Sequence, residues 1–122
     1  MLDHARADAA NETCGLLAGR DGVITLLRTA ANASPSTATT YEIAPRDLFR
    51  IFREFRRGGL DLLGVYHSHP ASDNAPSPTD IALSCYPDAV YVIVSPRDSA
   101  PMPVRAFRIR DGASTEITIE SE

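Results

Sequence analysis

His67 and His69 stand one residue apart at the end of an apolar run, and Asp80 follows after a span of ten residues that holds Pro70, Pro76 and Pro78. Residues 60–65 (Leu-Asp-Leu-Leu-Gly-Val) are apolar enough for a buried strand, and Tyr66 extends it. Residues two apart on a strand point to one face, so both imidazoles should emerge on the same side at the strand's end. Pro70 cannot donate to a ladder and stops the strand there. Ser77-Pro78 reads as an N-cap followed by a first helical residue, opening a short helix over 78–85. Asp80 then lies in the first turn, where the helix dipole favours a carboxylate. The span from His69 to Asp80 is long enough to fold that turn back over the strand end.

Two imidazoles and one carboxylate are a common ligand set for a catalytic zinc ion, because three protein ligands leave a fourth position open to water, whereas a structural zinc is normally closed by four. The same set forms the facial triad of non-haem iron oxygenases, but those ligands usually sit on a β-barrel, and the helix content here argues against it. A zinc deaminase would need a paired Cys-x-x-Cys, which Cys85-Tyr86-Pro87 does not offer. Taken alone, Ser77-Pro78-Thr79-Asp80 is also an ordinary helix start, and a single histidine at a strand end is usually structural.

The order His67-x-His69, seven intervening residues, then Ser77-x-x-Asp80 resembles the motif of the JAMM (MPN+ or JAB) zinc metalloproteases. The upstream Glu12-Thr13-Cys14-Gly15 is similar to the family's Glu-x-Cys-Gly opening strand. Gly64-Val65-Tyr66 and Tyr91-Val92-Ile93-Val94-Ser95 match as well, so the resemblance covers nearly the whole chain. It looks closest to small, stand-alone bacterial members. The resemblance implies that His67, His69 and Asp80 bind one Zn2+ per chain. It implies that Glu12 holds and deprotonates the water on that zinc and returns the proton to the leaving amine. It also implies that Ser77 steadies the oxyanion, a role compatible with capping the helix. The implied fold is α/β (α+β), a single-domain MPN/JAB fold over 1–122: a curved, mixed, mainly antiparallel sheet flanked by helices, with cytidine-deaminase-like architecture. The implied activity is a metallopeptidase or isopeptidase cutting after the C-terminal Gly-Gly of a ubiquitin-like or sulfur-carrier protein, releasing cysteine or a short extension. Members lacking the metal set serve as non-catalytic scaffolds, the alternative reading; here every motif position is filled.

Length and charge are consistent with this. A chain of 122 residues is a usual size for one domain. The net charge of −4 argues against a general nucleic-acid binder. No apolar run approaches the length of a membrane span, and the first residues lack a signal-peptide pattern, so a cytoplasmic location is expected. Two cysteines, Cys14 and Cys85, make no disulfide framework. Cys14 should share a strand face with Glu12 and read as a small buried apolar residue.

The remaining pattern predicts a helix over 2–10, a strand over 13–19, a hairpin at Asp21-Gly22 and a strand over 23–28. A loop over 31–40 and a brief extended piece at 41–43 follow. The strongest helix spans 45–57, stopped by Gly58-Gly59, with Leu48, Ile51, Phe52 and Phe55 forming an apolar stripe. Arg46, Arg50, Arg53 and Arg57 form a basic stripe, read as a solvated face or as a dock for an acidic protein. Strands over 89–95, 104–110 and 114–120 complete the chain, the last two joined at Asp111-Gly112. The segments 31–40 and 71–76 are candidate borders of a channel for the substrate tail.

Overall fold

A computed structural model describes residues 1–120. The elements run α1 (Leu2–Ala7), β1 (Cys14–Arg20), β2 (Val23–Ala30), α2 (Pro45–Arg57), β3 (Asp61–Ser68), α3 (Pro78–Leu83), β4 (Val90–Val94), β5 (Val104–Arg110) and β6 (Ala113–Ile117). The six strands form one sheet in the order β2-β1-β3-β4-β5-β6. Only β3 and β4 are parallel; every other pair is antiparallel, giving the mixed, mainly antiparallel α+β architecture expected.

Both hairpins form where the Asp-Gly pairs stand. Asp21 and Gly22 have φ of 53° and 77°, and Asp111 and Gly112 have 52° and 74°. Two consecutive left-handed residues match the twist of the flanking strands. The parallel step from β3 to β4 needs a crossover, and the segment carrying α3 supplies it.

The sheet is covered on both faces. On one, Leu16, Ala18, Val65, Tyr91 and Ile109 pack with Ile51 and Phe55 of α2. On the other, Leu17, Tyr66, Val92, Val94 and Ala106 pack with Ala5 of α1. Double coverage explains why β3 and β4 read as nearly unbroken apolar runs rather than alternating ones. Helix α2 begins and ends at the residues expected, with Pro45 in its first turn. Gly59 takes the left-handed turn at φ 65°, and the Arg20 guanidinium donates to the Gly58 and Gly59 carbonyls at 2.5 and 3.1 Å, satisfying the chain end. Arg46, Arg50, Arg53 and Arg57 all face solvent.

Several ends differ from the sequence expectation. Helix α1 stops at Ala7, because residues 8–10 enter a turn closed by Asn11, whose N–H and side-chain amide both donate to Asp8. Helix α3 stops at Leu83, with Ser84 extended. Strand β2 runs on to Ala30, carried by pairing with Cys14, and β6 ends at Ile117.

Gly15 makes the centre of the sheet possible. A Cβ there would collide with the Tyr66 ring and the Arg28 carbonyl oxygen. Gly15→Ala should therefore cost about 1–3 kcal/mol of stability, as overpacking of a filled core does. Urea denaturation checks this; an unchanged midpoint would contradict it.

Candidate metal centre

Strand register brings the first two elements of the site together. Cys14 of β1 lies opposite His67 of β3 in an antiparallel ladder. Beyond the regular strand the chains stay tied, since Ser68 N–H donates to Thr13 O at 3.0 Å and Thr13 N–H donates to Ser68 Oγ at 2.8 Å. Continuing that register sets Glu12 across from His69. Glu12, Cys14, His67 and His69 alternate with Thr13 and Ser68, so the four share one face. It is the face covered by α2, because Cys14 and Val65 pack in that cluster. Ser68 points the other way and staples the strands behind the site.

His69 lies one residue past β3, but its N–H still donates to Val94 O at 2.9 Å, which keeps the side chain in strand orientation. Asp80 arrives from the first turn of α3. It forms a capping box: Ser77 Oγ accepts the Asp80 N–H at 3.0 Å, and Asp80 Oδ2 accepts the Ser77 N–H at 2.9 Å. The cap that starts the helix thus fixes the oxygen that faces the histidines.

The resulting geometry is tight. His67 Nε2 lies 3.1 Å from His69 Nε2 and 3.1 Å from Asp80 Oδ2, and His69 Nε2 lies 3.0 Å from the same oxygen. Glu12 brings an oxygen to within 4.8 Å of the other three ligand atoms. All are shielded from solvent: Glu12, His67 and His69 are buried, and the Asp80 side chain is 8 % exposed.

This arrangement fits a cation better than it fits hydrogen bonding alone. His69 Nδ1 lies 2.7 Å from the Asp73 carbonyl, which can only accept, so Nδ1 carries the proton and Nε2 turns a lone pair to the centre. Asp80 Oδ2 offers lone pairs to the same point. One proton on His67 Nε2 cannot serve both neighbours well. Ligands on a tetrahedral zinc, with bonds of ~2.0–2.1 Å, are separated by about 3.3 Å, close to the sides of this triangle. Glu12 Oε1 is buried and has no hydrogen-bond partner among the described residues, a further sign that a polar group belongs between it and the triangle.

The electrostatics agree. Burial pushes the Glu12 carboxyl up to about 7, with Asp80 adding and His69 opposing. Burial also works to raise Asp80, but the two imidazoles and the Ser77 N–H outweigh it and hold that carboxyl far below its usual range. Desolvation keeps His67 low despite Asp80, so its ring stays neutral. At His69 burial is outweighed by Asp80 and the Asp73 carbonyl, and the shift is upward. The anionic Asp80 beside a neutral His67 is the charge state a divalent cation requires, and such a cation would displace the proton that the upward shift favours on His69.

All five residues singled out from the sequence come together: Glu12, His67, His69 and Asp80 in the cluster, and Ser77 capping the helix that carries Asp80. Cys14 is fully buried, its thiol 3.7 Å from Ala30 O and pushed up to about 12 by burial, with Asp47 and Glu12 adding. It packs as a small apolar residue beneath the site. Segment 71–76 supplies the Asp73 carbonyl to His69, and buried Asn74 anchors it by donating to Ile93 O and Met102 O at 3.2 and 2.8 Å. A cavity of about 640 Å³ opens beside Asp80, lined by Ser34, Pro35 and Thr40 on one side and by Leu48, Leu83 and Tyr86 on the other. Of the two segments expected to border a channel, 31–40 lines this cavity and 71–76 does not.

The family described as prokaryotic homologs of the JAB domain matches residues 1–110. The chain belongs to the JAB family. It is similar to a CysO-cysteine peptidase of Mycobacterium tuberculosis, 39% identical over 120 residues, which covers 95% of this chain and 80% of that one. It is also similar to a desampylase of Haloferax volcanii, 37% identical over 102 residues, covering 79% of this chain and 73% of that protein. The solution structure of protein DSY2949 from Desulfitobacterium hafniense superposes with a TM-score of 0.83 at 33% identity, covering 96% of this chain and 82% of that one. With the buried His-His-Asp-Glu cluster, these matches make the chain a JAB-family hydrolase with a candidate metal site.

Sequence reasoning missed Asn32, whose amide uses all its bonding capacity next to the JAB site. Its Nδ2 donates to Glu12 O and Thr40 O at 2.9 and 3.0 Å, and its Oδ1 accepts from Ser34 N–H and Glu42 N–H at 2.9 and 3.0 Å. No spacing rule flags it, because its partners come from segments on both sides of β1 and β2. Asn32→Ala should cost ~1–3 kcal/mol of stability and lower kcat, since the Glu12 backbone loses its clamp. Urea melts with single-turnover rates would check both; unaltered values would refute the clamp.

Proposed function

We propose that this chain is a zinc metallopeptidase that hydrolyses the bond after the C-terminal Gly-Gly of a ubiquitin-like sulfur-carrier protein, releasing cysteine or a short extension. Residues 1–122 act as one JAMM/MPN+ domain working in the cytoplasm. The observation that carries this reading is the triangle of Nε2, Nε2 and Oδ2 atoms 3.0–3.1 Å apart, beside it the buried Glu12 Oε1, which has no partner among the described residues. Relatives named CysO-cysteine peptidase and desampylase support the substrate class.

His67 Nε2, His69 Nε2 and Asp80 Oδ2 would hold the ion. Zinc, when bound there, supplies Lewis acidity toward the scissile carbonyl and lowers the pKa of water to roughly 7. Glu12 takes the proton of the attacking water and hands it to the departing amine; burial raises this carboxyl above its usual range, which favours its accepting a proton, and a bound cation would oppose that shift. Ser77 Oγ accepts the Asp80 N–H through a lone pair, which leaves its own O–H free to donate to the oxygen that gains negative charge. Glycines suit the tail because the backbone must pass close to a buried site.

The test is a carrier fusion ending Gly-Gly followed by cysteine or a short peptide, incubated with zinc-loaded protein and read by mass spectrometry. Cleavage after the second glycine is expected. Failure to cut any such fusion, or an isopeptide-linked conjugate, would defeat the assignment.

A further inference from the structure

The two imidazoles of the centre are oriented by different means. At His69, rotation about the ring is fixed by the hydrogen bond from Nδ1 to the Asp73 carbonyl, 2.7 Å away. His67 has no such bond. Its Nδ1 is buried with no partner among the described residues, although the whole side chain is enclosed. What meets His67 is the ring of Tyr41, stacked on the imidazole with centroids 4.3 Å apart and planes 19° from parallel.

We propose that Tyr41 is a positioning residue of the metal centre: its ring sets the plane of the His67 imidazole, the task a hydrogen bond performs at His69, and so keeps His67 Nε2 aimed at the shared point. This rests on the metal-site reading above. The stack is able to do so because Tyr41 is itself held. Its neighbours are pinned on both sides, Thr40 O and Glu42 N–H by the Asn32 amide, and Ile43 by a bridge to Asn32. Further bonds from Ala33 N–H to Glu42 O at 2.7 Å and from Ala44 N–H to Ala31 O at 3.0 Å tie the segment to the end of β2. Tyr41 also forms part of the cavity wall next to Asp80 and Val65, so it separates His67 from that space. Among the described residues its hydroxyl makes no hydrogen bond to the site; the contact is ring on ring, which makes phenylalanine the conservative replacement.

Zinc affinity of metal-free protein, measured by competition with a chromogenic chelator, tests this with wild type, Tyr41→Phe, Tyr41→Leu and Tyr41→Met. Tyr41→Phe should match wild type. Leucine and methionine fill volume without a planar face, and both should bind zinc roughly 10- to 100-fold more weakly, the usual loss when a partner that orients a ligand is removed. The visible spectrum of the cobalt-substituted leucine variant should also change, a signature that altered packing alone would not produce. Wild-type affinity and cobalt spectrum in the leucine or methionine variant would overturn the proposal, and so would a phenylalanine variant as weak as leucine. If wild-type protein itself takes no zinc, the metal reading falls and the role of Tyr41 falls with it.

Discussion

Glu12→Gln should retain fold and metal while losing roughly 10²- to 10⁴-fold in kcat, the usual contribution of a positioned general acid–base. Glutamine has the shape of glutamate and cannot carry the proton. Two observations separate this outcome from a structural effect. Among the described residues the Glu12 side chain makes no hydrogen bond through Oε1, so no such bond to that atom is lost. The residue's backbone, not its carboxyl, is what the surroundings hold: its N–H donates to Thr37 O at 2.7 Å, and its C=O accepts from Asn32. Zinc stoichiometry should stay at the wild-type value, because the three closest ligand atoms come from other residues. Steady-state cleavage of the carrier fusion, with metal content measured on the same samples, is the check. Equal kcat in wild type and variant would remove Glu12 from the chemistry; loss of the metal would make it a ligand instead.

His67→Ala carries the second large effect, and it separates metal binding from folding. His67 is fully buried, stacks on Tyr41 and offers one edge of the triangle to both His69 and Asp80. A zinc ion held by only three side chains, as proposed, would not survive the loss of one, so activity should fall to background. A ligand that binds only the folded state stabilises it by about 2.7 kcal/mol at a hundredfold excess over its Kd. Wild-type protein should therefore melt at a higher temperature with zinc than after chelation, whereas the His67→Ala variant should melt at one temperature in both conditions. Differential scanning fluorimetry reads this directly. A zinc-dependent shift of wild-type size in the variant would mean that His67 does not hold the ion.

Much of this was readable from the chain because the decisive signals are local. Asp21-Gly22 and Asp111-Gly112 demand left-handed turns, and both hairpins form there. Pro45 and Gly58-Gly59 bracket α2 to the residue. His67 and His69 share a face by strand period, and Asp80 is placed by a cap that Ser77-Pro78 announces. The ends that shifted have two causes: β2 lengthens through pairing across the sheet, Cys14 with Ala30, and α1 shortens through a local turn in which Asn11 bonds back to Asp8. Glu12 is the instructive case. It was legible only through the resemblance of Glu12-Thr13-Cys14-Gly15 to the family's opening strand; in physical terms the β1–β3 register, with Cys14 opposite His67, carries it to the histidines. Asn32 and Tyr41 carry no such motif. The contacts that tie them to the site, Asn32 to Glu12 and Tyr41 to His67, span 20 and 26 positions and are joined only once the sheet has formed.

The most direct test of the central claim is an anomalous difference map, collected at the zinc edge from crystals grown with stoichiometric Zn2+. One peak is expected, bounded by the Nε2 atoms of His67 and His69 and by Asp80 Oδ2, with the Glu12 carboxyl facing it across a gap. An empty triangle, or zinc held elsewhere on the chain, would contradict it.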